Sequence, residues 1–346
     1  MPHIRSQNYS LDGELALSGL TNTDFPNGFS SYQYNLLYIP KVSIVKTVED
    51  DKTIDSDISL RLLRHYSGDL LLHDEQKFYR YWLRYNDETF EARIGLQKIV
   101  FGTSQLLRTL SWFDSIDPID LTGQTTGVRA LRLRWYPMHY LSYWAWIIDN
   151  EDETHSYGTR VEISSVFGEW GISYHKDHSK IVRNINSLGI SINQPNARFA
   201  VDYRFDGLVG FWNESAIIKA NEANIFMTTL GADYTLPIAG GILITAECML
   251  LKNQFDNMGR NAEFFALMAS TPLSINHQIM LVSQVGADLE KMYHHLRWTS
   301  TYNYYSLNFI CTFYPEKSNF EGNEELLHNS SIGYGTGLQF MLIYNH

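Results

Sequence analysis

The sequence predicts an all-β fold: a single transmembrane antiparallel up-and-down β-barrel of about 18 strands, with 16 as the alternative. Three observations predict it. Apolar and polar residues alternate with period 2 over runs of about 8–12 residues, which is the strand signal at bilayer-crossing length. Aromatic residues make up 14% of the 346, with 22 Tyr, 18 Phe and 8 Trp, and Tyr and Trp suit a boundary with one wet and one apolar side. No uncharged apolar run of about 18 residues occurs, so strands rather than helices are expected to span.

The strands read in order. In 31–39, Tyr32, Tyr34, Leu36 and Tyr38 share one face, and Ser31, Gln33 and Asn35 the other. In 77–85, Tyr79, Tyr81, Leu83 and Tyr85 oppose Arg80, Trp82 and Arg84. In 90–101, Phe90, Ala92, Ile94, Leu96 and Val100 oppose Glu91, Arg93, Gly95 and Gln97. Across 128–136, Leu131, Leu133 and Trp135 oppose Arg132 and Arg134. In 196–206, Phe199, Val201, Tyr203 and Phe205 oppose Arg198, Asp202 and Arg204. In 240–252, Ile242, Ile244, Ala246, Cys248 and Leu250 oppose Thr245 and Glu247, and in 303–314 Tyr305, Leu307, Phe309, Cys311 and Phe313 oppose Ser306, Asn308 and Thr312. Segment 139–150 is apolar on both faces, and 276–286 is ambiguous.

Tight turns are expected at Pro40-Lys41, Asn86-Asp87-Glu88, Pro137-Met138 and Phe167-Gly168. Longer polar loops are expected near 21–30, 50–56, 102–125, 150–156, 177–183, 252–260 and 315–330. Short turns on one rim and long loops on the other are the habit of outer-membrane barrels. Ends on the short-turn side require an even strand number. A raw count of about 19 becomes 18, with the up-down order inconsistent between 177 and 240. The chain reads as one domain, 1–346. Within it, 102–125 carries Leu106, Leu107, Leu110, Trp112 and Phe113, too apolar for a loop in water, and is expected to pack into the barrel mouth or lumen.

A soluble sandwich also alternates, but its strands average about 5–6 residues. Strands this long and numerous close a ring too wide for side chains to fill. A polar lining then means a wet lumen, and the apolar face meets lipid. The last strand repeats the pattern, with Ile332, Tyr334, Leu338, Phe340, Leu342 and Tyr344 on one face. Aliphatic–aromatic alternation at that position resembles the terminal recognition signal of outer-membrane barrels, with His346 where Phe or Trp is usual.

The net charge of −11 argues against nucleic acid as a partner, which would call for a basic excess. Cys248 and Cys311 match no metal or redox spacing and are expected to be buried small hydrophobes. The first fourteen residues have no apolar core, so location in a bacterial outer membrane requires that a signal was removed. No nucleophile elbow, phosphate loop, haem attachment or zinc spacing appears. The reading is therefore no enzyme, no cofactor and no metal. His294 and His295 are adjacent, and adjacent strand residues face opposite ways.

At 91–134 the chain runs through Arg93, Gly95, Gln97, Ile99 and Gly102, then Phe113, Asp114, Asp117, Pro118 and Asp120, then a basic strand. This pattern resembles the alginate-export and related porin-like barrel families over about 45 residues. The resemblance implies 18 strands and an electropositive, Arg-lined conduit for anionic sugars; alginate itself is not carried over.

The expected pore lining is Arg61, Arg80, Arg84, Glu91, Arg93, Gln97, Arg132, Arg134, Arg160, Arg198, Asp202 and Arg204. Rings of Arg favour anions. Equally, these residues suit a rigidifying ladder with Glu91, Glu162, Asp202 and Glu247. Arg108, Asp114, Asp117 and Asp120 are the candidates for a charged constriction; Asp residues near Pro118 also suit turns and caps. The expected function is a porin-like channel for passive passage of small hydrophilic, anionic, sugar-like solutes. The alternative is a structural barrel that sheathes or anchors a partner protein, with little open conductance. Outer-membrane lipid, including lipopolysaccharide, is the expected surroundings, and a partner protein or a homo-oligomer stays open.

Overall fold

The computed structural model describes residues 7–24, 30–49, 51–114, 122–125, 127–186, 188, 190–221, 223–238, 240–255, 258–286, 292–316 and 334–346. Its wall begins with β1 (Gln7–Asp24), β2 (Tyr32–Glu49), β3 (Lys52–Ser67), β4 (Leu70–Asn86) and β5 (Phe90–Gln97). It continues through β6 (Val128–Met138), β7 (Leu141–Asp149), β8 (His155–Ser165) and β9 (Gly168–Asp177). Two short pieces follow, β10 (Arg183–Asn184) and β11 (Ser191–Ile192). Then come β12 (Asn196–Phe205), β13 (Gly210–Ala220), β14 (Ala223–Leu236), β15 (Ile242–Phe255) and β16 (Met258–Pro272). The last four are β17 (His277–Val285), β18 (Met292–Thr301), β19 (Tyr305–Phe313) and β20 (Tyr334–Asn345).

Eighteen of these form one sheet in which each strand is antiparallel to the next, and β1 pairs with both β2 and β20, closing the ring. Closure satisfies backbone groups that an open edge would leave unpaired in hydrocarbon. β9 pairs directly with β12, so β10 and β11 pair only with each other and stand outside the wall. This mini-hairpin occupies the region where the strand order read from sequence becomes inconsistent.

The alternation translates into two faces. Leu131, Leu133 and Trp135 are exposed outward, while Ala130 and Arg132 are buried inward. Phe199 and Phe205 point out, and Arg198, Ala200 and Asp202 point in. An exposed apolar face of this extent suits hydrocarbon, not water. Cys248 and Cys311 lie on that outer face and are half exposed, contrary to the expectation of burial. In a wide barrel the apolar face is the outside, so an apolar position is not a core position.

Other sequence expectations shift for local reasons. Pro40-Lys41 is not a turn: Pro40 lies within β2, opposite Gly13. Its missing N–H leaves a gap in the β2–β3 ladder between Tyr38 and Lys41, with the register kept and the strand unbroken. The loop expected at 50–56 contracts to 50–51, because β3 begins at Lys52. β1 was not distinguished in the sequence at all. The 90–101 strand stops at Gln97. Tyr79 is not on the outer face: Ser59 pairs with Arg80 and Leu60 with Phe78, so Tyr79 is the extra residue of a β-bulge. It turns inward, and its hydroxyl accepts from the Thr125 N–H at 3.2 Å.

One rim carries only short connections: 50–51, 87–89, 139–140, 166–167, 206–209, 237–241, 273–276 and 302–304. The opposite rim carries the long segments 98–127, 178–195 and 314–333, along with short ones such as 68–69 and 221–222.

Candidate functional site

The inner wall has two kinds of lining. One is a belt of guanidinium and carboxyl groups on β3 to β14. Arg84 grips Asp55 through Nε at 2.9 Å and Nη2 at 2.8 Å, and reaches Glu91 at 3.4 Å. Glu91 also pairs with Arg132. Arg160 grips Asp202 through both terminal nitrogens, at 2.6 and 2.8 Å, and Glu162 through Nε at 2.8 Å. Arg198 donates to Asp177 at 2.9 Å and Asn196 at 2.9 Å. Arg204 meets Asp206 at 2.7 Å and Asp233 at 3.8 Å. These bidentate forks fix neighbouring strands in register.

Two arginines are held differently. Arg93 lies over the Trp82 ring at 4.4 Å, and its nearest carboxylate, Glu91, stands at 4.0 Å. Arg134 lies over Trp144 at 3.8 Å, with Glu162 at 3.8 Å. Both Nε atoms are buried without a hydrogen-bond partner. Stacking on a ring face satisfies a cation electrostatically without cancelling its charge.

The second lining is apolar and is covered by the chain itself. After Gln97, whose amide donates to Ala130 O at 2.8 Å, the chain turns into the lumen. Ile99, Phe101, Leu106, Leu107, Leu110, Trp112 and Phe113 pack with Trp146, Ile218, Met227, Met249 and Phe264 of the inner wall. Ile185, Leu188 and Ile192 of the β10–β11 hairpin join the same cluster.

Two wall carboxyl groups pin this inward segment. Glu214 on β13 accepts from the N–H groups of Thr103 (2.5 Å), Ser104 (2.7 Å) and Leu110 (3.1 Å). Glu247 on β15 accepts from Gln105 (2.7 Å), Leu106 (3.0 Å) and Leu107 (2.5 Å), and from Trp212 Nε1 (3.0 Å). Thr229 on β14, between them, donates to Leu107 O at 2.8 Å. An irregular backbone in a barrel interior needs such partners, because no ladder supplies them.

The far end of the segment rests on other strands. Gln124 accepts from Arg61 Nε at 3.0 Å and donates to Glu14 on β1 at 3.3 Å. Arg80 donates to Thr125 O at 2.8 Å and sits over Tyr79 at 4.0 Å. Segment 98–127 thus touches β13–β15 at one end and β1, β3 and β4 at the other. On a ring of 18 strands, these are nearly opposite sides.

The residues singled out from sequence fall into three groups. Arg61, Arg84, Glu91, Arg132, Arg160, Arg198, Asp202 and Arg204 lie in ion pairs. Arg80 and Gln97 bond to backbone carbonyls, and Arg93 and Arg134 stack on Trp. Arg108 and Asp114 are buried against each other at 2.6 Å; Asp117, Pro118 and Asp120 lie outside the described residues. Glu247, expected to pair with arginine, instead holds the segment together with Trp212. Glu214, Trp212 and Thr229 were missed. In register, Glu214 stands between Asp202 and Thr229, so it has no basic neighbour on the adjacent strands, a fact that only strand pairing reveals. His294 donates to or accepts from Ser283 at 2.9 Å on the outer face, while His295 is buried inward. Among the described residues no His, Cys, Asp and Glu group is arranged to hold a metal.

No protein-family model matches the chain, the alginate-export family included, and no curated protein matches it. Solved structures do. Pseudomonas aeruginosa OccK5 (OpdH) aligns with TM-score 0.60 at 7% identity, over 98% of each chain. Salmonella typhi OmpF in complex with daunomycin aligns with TM-score 0.56 at 10% identity, over 98% of this chain and 97% of that one. A multiply substituted Rh. blastica porin aligns with TM-score 0.52 at 11% identity, over 98% and 100%. At these identities the likeness is one of fold: the chain has a porin-like barrel.

Proposed function

We propose that this barrel is an outer-membrane porin-like channel for passive passage of small hydrophilic solutes, with a preference for anions. No catalytic role is proposed. Segment 102–125 sets the narrow zone, because its described residues rest on opposite walls. The observation that carries the anion preference is the pair Arg93 and Arg134: inward-facing guanidiniums on Trp faces, with no carboxylate nearer than 3.8 Å. Of the other arginines singled out on the wall, Arg80 is taken up by Thr125 and the rest lie against carboxylates. A passing carboxylate or sulfate would meet the uncancelled charge of Arg93 and Arg134. The likeness to porins supports the channel reading but says nothing of the solute.

The test is reversal potential across planar bilayers under a salt gradient. The wild type is expected to favour anions, and Arg93→Gln with Arg134→Gln to lose most of that preference. An unchanged reversal potential would remove these two residues from selectivity, and absence of any conductance would remove the channel. A second reading, a barrel with little open conductance, is favoured by one observation: much of the lumen beside β13–β16 is occupied by the chain's own segments.

A further inference from the structure

The turns of the short-connection rim have an unexpected composition. Six of the eight carry an exposed large apolar residue at the tip: Tyr140, Phe167, Leu208, Ile238, Ile275 and Tyr304. Phe167 is 77% exposed, Leu208 87% and Ile275 103%, so no part of the described chain covers them. The six turns are consecutive around the wall, from β6/β7 to β18/β19. The two remaining turns hold Asp51 and Asp87-Glu88. A rim standing in water has no reason to divide in this way.

Strand height follows the division at the Asp51 turn, while the Asp87-Glu88 turn, which leads into the 8-residue β5, differs by its charge. The strands flanking most of the apolar turns, such as β7, β9, β18 and β19, are 9–10 residues long. At about 3.4 Å per residue and a tilt near 40°, such a strand rises about 25 Å, the height of an apolar belt and no more. β2 and β3, which meet at the turn holding Asp51, have 18 and 16 residues. By the same arithmetic they rise about 40–45 Å, enough to clear the headgroups.

Aromatic pairs fix the level of the interface. Trp135 stacks on Tyr143 at 5.6 Å, and Trp170 meets Tyr203 at 4.3 Å. Rings of this kind mark the membrane–water boundary. The tips lie about three residues further on, or roughly 8 Å, close to the thickness of one headgroup layer.

We infer that these six turns are seated in the headgroup layer of a phospholipid leaflet. The barrel is then anchored by its turns as well as its belt, while the two acidic turns of the β2–β5 sector meet water. This rests on the reading of the barrel as membrane-embedded.

Spin-label accessibility tests it in vesicles of palmitoyl-oleoyl phosphatidylethanolamine and phosphatidylglycerol, with the relaxing agents on both sides. Native Cys248 (in Cys311→Ala) and Cys311 (in Cys248→Ala) report on the belt. Leu208→Cys, Ile275→Cys and Glu88→Cys, each in the Cys248→Ala, Cys311→Ala background, report on the rim. The expected result is several-fold less collision with a water-soluble nickel chelate at positions 208 and 275 than at 88, and a higher ratio of oxygen to nickel accessibility. Equal nickel accessibility at 208, 275 and 88, with belt labels still protected, overturns the seating alone. Nickel-accessible belt labels overturn the membrane reading and the seating with it.

Discussion

Removing the Glu214 carboxyl group tests whether the inward segment is held by the wall or only leans on it. In Glu214→Ala, the N–H groups of Thr103, Ser104 and Leu110 lose their acceptor. Each buried unsatisfied donor costs about 1–3 kcal/mol, so the local loss is about 3–9 kcal/mol. The wall itself is closed by eighteen antiparallel ladders and is expected to stay folded. The cost therefore falls on the segment, which opens more often. About 3 kcal/mol already corresponds to roughly two orders of magnitude in the opening equilibrium. Hydrogen exchange read by mass spectrometry on peptides covering 99–113 is expected to accelerate by that factor, while peptides of β7 and β18 stay protected. Single-channel records are expected to show more frequent current fluctuations. Glu247→Gln, which keeps one carbonyl acceptor, is expected to give a smaller change. Unaltered exchange in Glu214→Ala would refute the anchoring argument, since the apolar cluster alone would then be holding the segment.

Three further outcomes are expected. Gly231→Ala places a methyl carbon within 2.1 Å of Trp212 Nε1, displacing the ring that donates to Glu247; an overpacking cost of about 1–3 kcal/mol is expected as a lower unfolding midpoint in urea, with faster exchange at 105–107. Arg160→Ala leaves Asp202 buried without its forked partner, which costs about 3–5 kcal/mol and is expected to lower the heat-modification temperature on gels more than Arg204→Ala, whose partner Asp206 is exposed. In the 150–154 loop, Asp152 is held well below the usual carboxylate range, first by the Thr154 hydroxyl at 2.7 Å and then by the Lys180 N–H at 2.8 Å. A depressed pKa in the folded state means that this loop contact contributes stability above the ordinary Asp value of about 3.9 and loses it only as pH falls through the lower folded value. Limited proteolysis near 150–154 is expected to be unchanged down to about pH 4 and to rise at neutral pH in Asp152→Ala.

The sequence by itself determined the wall. Period-2 alternation in segments such as 128–136 decides which side chains face out, because a strand offers only two faces and a closed sheet only two surroundings. That reasoning placed Arg132, Arg134, Arg198 and Asp202 inward without any knowledge of their neighbours. It also gave the strand number, since an up-and-down ring with ends on one rim has to be even. It failed where one residue breaks the alternation, as at Tyr79, and where a proline is tolerated in a strand, as at Pro40. Only the tertiary structure decided what meets what across the ring. Arg160 and Asp202, Glu91 and Arg132, and Glu214 and the 103–110 backbone are joined by register and closure, and register is a property of strand pairs that no single strand encodes. The segment after Gln97 announced by its composition that it would avoid water. Where it came to rest, on Glu214 and Glu247, was fixed by carboxyl groups on strands more than a hundred residues away.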